Sequence, residues 1–123
     1  MSFVLFIILY GVVSAAGLAL LKTSFTETSL HWGSWTTILH TVASLICNYK
    51  FIIGLVLYLA GFLLWLRILI ERPLSYAFPI ASGVLYVAII SAAYLFIGEN
   101  ISSVRLMGIV LILSGIILVG RTL

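Results

Sequence analysis

The sequence predicts an all-α membrane protein: four transmembrane helices plus an interfacial amphipathic helix between helices one and two. Three observations predict it. The 123 residues are 64% hydrophobic and 7% charged, where a soluble domain carries about 25% charged residues, so little polar surface is left to face water. Four apolar runs, Phe3 to Leu21, Phe51 to Ile70, Leu74 to Ile97 and Val104 to Gly120, match the ~20 helical residues that cross a hydrocarbon core of roughly 30 Å. The runs are continuous and do not alternate. Backbone groups in lipid must be satisfied internally, which such runs achieve as helices and not as strands of a barrel. The whole chain, 1–123, reads as one domain.

The first run lacks a basic start and passes straight into Lys22 without a clear small-residue cleavage site, so it reads as a permanent helix and not a cleaved signal. Its end, "SAAGLALLK", holds Ser14 as its one polar side chain before Lys22, and no carboxylate close by. Lys22 either snorkels to water or binds an anion as a point charge.

After the turn-rich stretch "KTSFTETSLHWGS", read as a loop, apolar Trp35, Ile38, Leu39, Val42, Leu45, Ile46 and Tyr49 recur at helical spacing. Thr36, Thr37, His40, Thr41, Ser44 and Asn48 take the other face. This predicts an amphipathic helix over about 35–48, too polar to span, with Ser34 as N-cap and Trp35 and Tyr49 as interface anchors. Such a helix holds down a long loop, or covers a substrate path as a lid.

Helix two carries Tyr58 and Trp65 on one side, and Arg67 four residues before Glu71, a spacing that allows an ion pair. Arg67 lies near the helix end. It either snorkels or faces a phosphate, since an intramembrane cation is a functional hypothesis by default. Helix three opens "RPLSYAFPIASG". Pro73 suits a first turn. Pro79 cannot donate to the Ser75 carbonyl, which predicts a kink with Ser75, Ser82 and Gly83 around it. The kink is either structural or the broken helix of a transporter cavity. In helix four, Gly108 and Gly115 are seven apart with Ser114 adjacent, a spacing that lets another helix approach closely. These two glycines are the expected dimer interface.

Lys22, Lys50 and Arg105 fall at one side of the membrane and Arg67, Arg72 and Arg121 at the other, so the positive-inside rule gives no orientation. The net charge of +3 forms no basic patch, and no nucleic-acid partner is expected. Cys47 is single, and His31 and His40 lie nine apart without ligand spacing. No disulfide, metal or other cofactor is expected.

Taken together, "GVVSAAGLALLKTS", "LSYAFPIASG" and "IGENISSVRLMGIVLILSGIILVG" resemble the four-helix members of the drug/metabolite transporter superfamily, of the EamA and small-multidrug-resistance type. The resemblance covers nearly the whole chain. The small multidrug exporters carry a glutamate in mid helix one where this chain has Ser14, and a tryptophan in helix three where it has Ala81. Glu27, Glu71 and Glu99 all lie in loops or at helix ends, so no mid-membrane proton carrier is expected. The "SAAG"-to-lysine spacing and the proline of "AFPIAS" look closer to the paired subunits that flip aminoarabinose-phosphoundecaprenol. That resemblance implies a bacterial inner-membrane flippase of a lipid-linked sugar phosphate or another anionic amphiphile. It would act as a homodimer, or as a heterodimer with a similar small transporter. Its substrate would contact Ser14, Lys22, Tyr58, Trp65, Arg67, Ser75, Phe78, Pro79 and Ser82.

Two other classes compete. One is an exporter of a small metabolite or drug; the other is a non-transporting membrane subunit, which would have no need of a polar, kinked interior. An enzyme is not expected, for the sequence offers no paired intramembrane aspartate, no HExxH and no nucleophile with a base nearby.

Overall fold

The computed structural model describes residues 2–28 and 33–122. Positions 29–32, with His31 among them, lie outside the described residues, and so does that part of the loop reading. The chain forms α1 (Phe3–Glu27), α2 (Trp35–Ile46), α3 (Tyr49–Glu71), α4 (Leu74–Ala92, continuing as a π-helical turn Ala93–Ile97) and α5 (Ser103–Gly120). The described residues contain no strand. α1, α3, α4 with its π-turn, and α5 are each long and apolar enough to cross a membrane, and together they make this a multi-pass membrane protein.

α1 lies at the centre. It packs on α3 and on α4, and α5 packs on α4. Small residues explain the choice. Gly17 of α1 meets the backbone of Gly54 and Tyr58, Gly61 of α3 meets Ser14, and Gly11 meets Val84 of α4. Lipid tails are as apolar as leucine, so helices in a bilayer associate where small residues allow close van der Waals contact. The sequence carries this signal, since Gly54 and Gly61 repeat the seven-residue spacing of Gly108 and Gly115. The structure places the first pair inside and the second outside: a Cβ at Gly108 or Gly115 would meet nothing within 4 Å.

α1 is longer than the apolar run. Its 25 residues span about 37 Å at ~1.5 Å per residue. The segment from Lys22 to Glu27, read as loop, is helix. Thr23, Ser24 and Thr26 spend their hydroxyls on carbonyls of the preceding turn, at 2.9, 2.7 and 2.9 Å. Phe25 meets Phe51 and Glu27 pairs with Lys50, which tie the extension to the start of α3.

α2 ends at Ile46, earlier than the periodicity suggested, because Asn48 caps α3 by accepting from the Lys50 N–H at 3.0 Å. Ser34 caps α2 as expected, accepting from the Thr37 N–H at 3.4 Å. α2 has three faces instead of two. Thr41 and Leu45 are buried toward the protein, so Thr41 leaves the polar face assigned to it. Trp35, Leu39, Val42 and Ile46 form an uncovered apolar stripe. Spin labels at these four positions are expected to report shallow lipid contact, and labels at Thr36 and His40 water. Equal water exposure at all six would show that α2 is not seated on the bilayer.

Candidate functional site

α1 and α3 run antiparallel, because Ser14 faces Gly61 while Gly17 faces Gly54. The same pairing sets the ends of the bundle. Arg67 stacks over the ring of Phe6 at 5.4 Å, and Lys22 lies sixteen positions further along α1, about 24 Å away at ~1.5 Å per residue. The two cations read as contacts of one substrate therefore sit at opposite ends. Lys22 has a carboxylate after all: it pairs with Glu99. The turn after α4 explains how. Gly98 is left-handed (φ 77°), and the Glu99 N–H donates back to the Ala93 carbonyl at 3.0 Å, which folds the turn over the end of the π-turn. Arg67 Nη2 pairs with Glu71 Oε1 at 2.9 Å, as the four-residue spacing allows. Arg72 stacks over Phe3 at 5.4 Å. All three glutamates are thus ion-paired near helix ends.

Between these ends is a cleft of about 270 Å³, lined by Tyr10, Ser14, Tyr58, Trp65, Phe78 and three apolar side chains. It brings together Ser14, Tyr58, Trp65 and Phe78 of the residues read from sequence. Tyr10 was missed there, although it stands one helical turn before Ser14 on the same face. The rings brace one another. Tyr10 and Trp65 have centroids 5.7 Å apart, and Phe78 meets Trp65 edge-on at 5.8 Å.

Ser14 is 2% exposed, yet it makes no hydrogen bond among the described residues, and neither do the side chains of Tyr10, Tyr58 and Trp65. Ser91 and Ser114, by contrast, donate to carbonyls one turn back at 2.8 and 2.7 Å. Tyr10, Ser14, Tyr58 and Trp65 place four neutral polar side chains around one cleft. A Cβ at Gly61 would collide with Ser14 Oγ, so Gly61 makes room for that hydroxyl.

Compared with known protein families, curated proteins and solved structures, the chain matches none.

Ser75, Pro79 and Ser82 do not line the cleft. α4 remains helical through Pro79, and Ser75 is exposed. Gly83, read as lining a polar space, is instead buried against Ile116 of α5, whose nearest atom lies 3.0 Å from where a Cβ would stand. Among the described residues, no group of three or more histidine, cysteine, aspartate or glutamate side chains is placed to hold a metal.

Proposed function

We propose that this chain is a transporter of the drug/metabolite transporter type that flips a lipid-linked sugar phosphate across the bacterial inner membrane, acting as a dimer. The observation that carries this reading is the position of the cations relative to the cleft. On α1 the cleft runs from Tyr10 to Leu18, about 12 Å at ~1.5 Å per residue. Lys22 follows Leu18 by one helical turn, and Arg67 stacks on Phe6, one turn before Tyr10. An uncharged cleft thus has one cation beyond each end. That suits an amphiphile whose polar group crosses while its phosphate is held first at one membrane surface and then at the other.

Both cations have carboxylate partners, but the Lys22 side chain is 56% and that of Arg67 48% exposed. Exposed pairs are worth only about 0–1 kcal/mol. A charge-assisted bond to phosphate is worth roughly 1.5–3 kcal/mol, so phosphate can displace Glu99 or Glu71. Among the described residues no carboxylate lines the cleft, which favours this reading over a proton-coupled exporter of cations, since that needs an acidic group in the pathway. The outward glycines of α5 leave a face on which a second copy or a similar subunit can pack.

The test is binding of polyprenyl phosphate, followed by native mass spectrometry. Lys22→Gln and Arg67→Gln are each expected to weaken binding about tenfold, the loss of one charge-assisted hydrogen bond, with folding intact. Unchanged affinity in both variants would make the two residues snorkelling anchors and remove the support for a phosphate substrate.

A further inference from the structure

We infer that the lipid chain of the substrate lies outside the cleft, in an apolar trough along α1, α4 and α5 that starts beside Lys22, and that this trough takes one long prenyl chain. This rests on the flippase reading and gives the tail of its substrate a site of its own.

The trough consists of two cavities set end to end. One, of about 480 Å³, lies between α1 and the end of α4 with its π-turn. The other, of about 570 Å³, lies between α1, α4 and α5. They share Val12 and Ala88. On α1 they run from Ile8 to Thr23, about 22 Å at ~1.5 Å per residue, which is most of a hydrocarbon core of roughly 30 Å. Among the described residues, none that lines the trough is charged. Its two hydroxyls, on Thr23 and Ser91, donate to carbonyls of their own helices at 2.9 and 2.8 Å.

The trough and the cleft lie on different sides of α1. Tyr10 and Ser14 line the cleft, and Val12 and Ala16 line the trough. A shift of two residues turns a side chain roughly 200° around a helix. A smaller cavity of about 230 Å³ joins the two sides at one end. It shares Ala15, Ala19, Ala92 and Ile97 with the trough and Leu18 with the cleft, and Lys22 and Glu99 line it as well. A phosphate held at Lys22 therefore stands where its sugar can enter the cleft and its chain can enter the trough.

The charge at this junction suits an anion. Glu99 pairs with Lys22 and lines the next cavity together with Arg105. Two cations around one carboxylate leave one positive charge. The other pair at this end, Lys50 with Glu27, is neutral. A lysine binds phosphate as a point charge, so the headgroup is drawn to the end of the trough.

Packing selects the chain. Lipid tails are as apolar as the trough, so a chain is held there by close contact and not by transfer out of water. Ala15, Ala16, Ala19, Ala88 and Ala92 leave notches along the wall, which suit the methyl branches of a prenyl chain. A single trough holds a single chain, whereas a diacyl phospholipid carries two on one headgroup. Gly108 and Gly115 do not line it, so a second copy packed on those glycines leaves the trough to lipid.

The experiment compares three phosphates on the full chain by native mass spectrometry: a long polyprenyl phosphate, geranyl phosphate and phosphatidic acid. The long polyprenyl phosphate is expected to bind about tenfold tighter than either of the others. Ala16→Phe and Ala88→Phe each fill the trough and are expected to remove that advantage, while geranyl phosphate binds as before. The unchanged short lipid reports a folded variant with its phosphate site intact. Ala16 is exposed, so a larger side chain there disturbs no packing within the protomer. Leu111→Phe, on a part of α5 that is 73% exposed and outside the trough, should change none of the three. Equal binding of the long and the short prenyl phosphate would overturn the trough as the chain site, while the lipid-phosphate reading stands. So would an undiminished long-chain advantage in both trough variants. Phosphatidic acid binding as tightly as the long polyprenyl phosphate would overturn the choice of a prenyl chain. If none of the three binds, the flippase reading falls as well.

Discussion

Gly17→Ala and Gly54→Ala are each expected to destabilise the protein by about 2–3 kcal/mol, the upper part of the usual range for over-packing. A Cβ at Gly17 would lie 2.8 Å from the Tyr58 nitrogen and 2.9 Å from the Gly54 carbonyl oxygen, and one at Gly54 would lie 2.9 Å from the Gly17 oxygen and 3.0 Å from the Leu21 nitrogen. These atoms are backbone, so no rotamer change relieves the contact and the helices must separate. Alanine gains about 1 kcal/mol of helix propensity over glycine, which is too little to offset the clash. Separation also opens the Ser14–Gly61 contact on the same seam. Unfolding in mixed micelles, followed by circular dichroism, measures the effect. The control is on the outer face of α5, where a Cβ at Gly108 or Gly115 meets nothing. There alanine should be neutral or slightly stabilising. Gly115→Leu should leave the protomer stable and instead lower the yield of cross-linked pairs in membranes. Wild-type stability of Gly17→Ala would mean that α1 and α3 do not meet at these glycines.

The second large effect is expected at Ile68. This side chain is 0% exposed and packs with Ile7 and Ala77, enclosed by Phe6, Trp65 and neighbouring residues of α1, α3 and α4. Ile68→Ala leaves a cavity where three helices meet. In a soluble core such a change costs 2–5 kcal/mol, roughly. In a bilayer the transfer contribution is small because the unfolded helices already lie in lipid. The lost packing remains, so about 2 kcal/mol is expected. Trp65 stands one turn before Ile68 and lines the cleft, so its fluorescence should broaden or shift as its support is removed. Leu63 on the same helix is 66% exposed, and Leu63→Ala should change stability by no more than about 0.5 kcal/mol. Equal effects at Ile68 and Leu63 would show that the α1–α3–α4 core does not contribute as described.

Fold class and elements follow from local residue patterns. Composition and four unbroken apolar runs require helices in a bilayer, because lipid makes the backbone satisfy itself internally and runs that do not alternate cannot do so as a barrel. The amphipathic period and Ser34 mark α2, and the four-residue interval marks the Arg67–Glu71 pair. These are local signals, carried by residues within one or two turns of each other. Even so, local hydropathy misjudged the end of α1. Thr23, Ser24 and Thr26 read as loop residues, but they satisfy their hydroxyls on the helix itself and let it continue.

Which helices touch, and with that the site, depends on how the helix surfaces pack. Each of the four membrane-spanning helices is apolar on nearly all sides, so hydropathy cannot tell a lipid-facing surface from a packed one. Close approach at glycine makes that distinction, and it depends on which glycine meets which backbone. It put Gly54 and Gly61 inside and left Gly108 and Gly115 outside at the same spacing. The resulting antiparallel register gathered Tyr10, Ser14, Tyr58, Trp65 and Phe78 around one cleft. It separated Lys22 from Arg67 by the length of the membrane-spanning core, and the left-handed Gly98 brought Glu99 to Lys22 from the far end of the chain. Pairings between distant segments leave no period in a single sequence, because they are set by the shape of two surfaces in contact and not by the order of residues along either one.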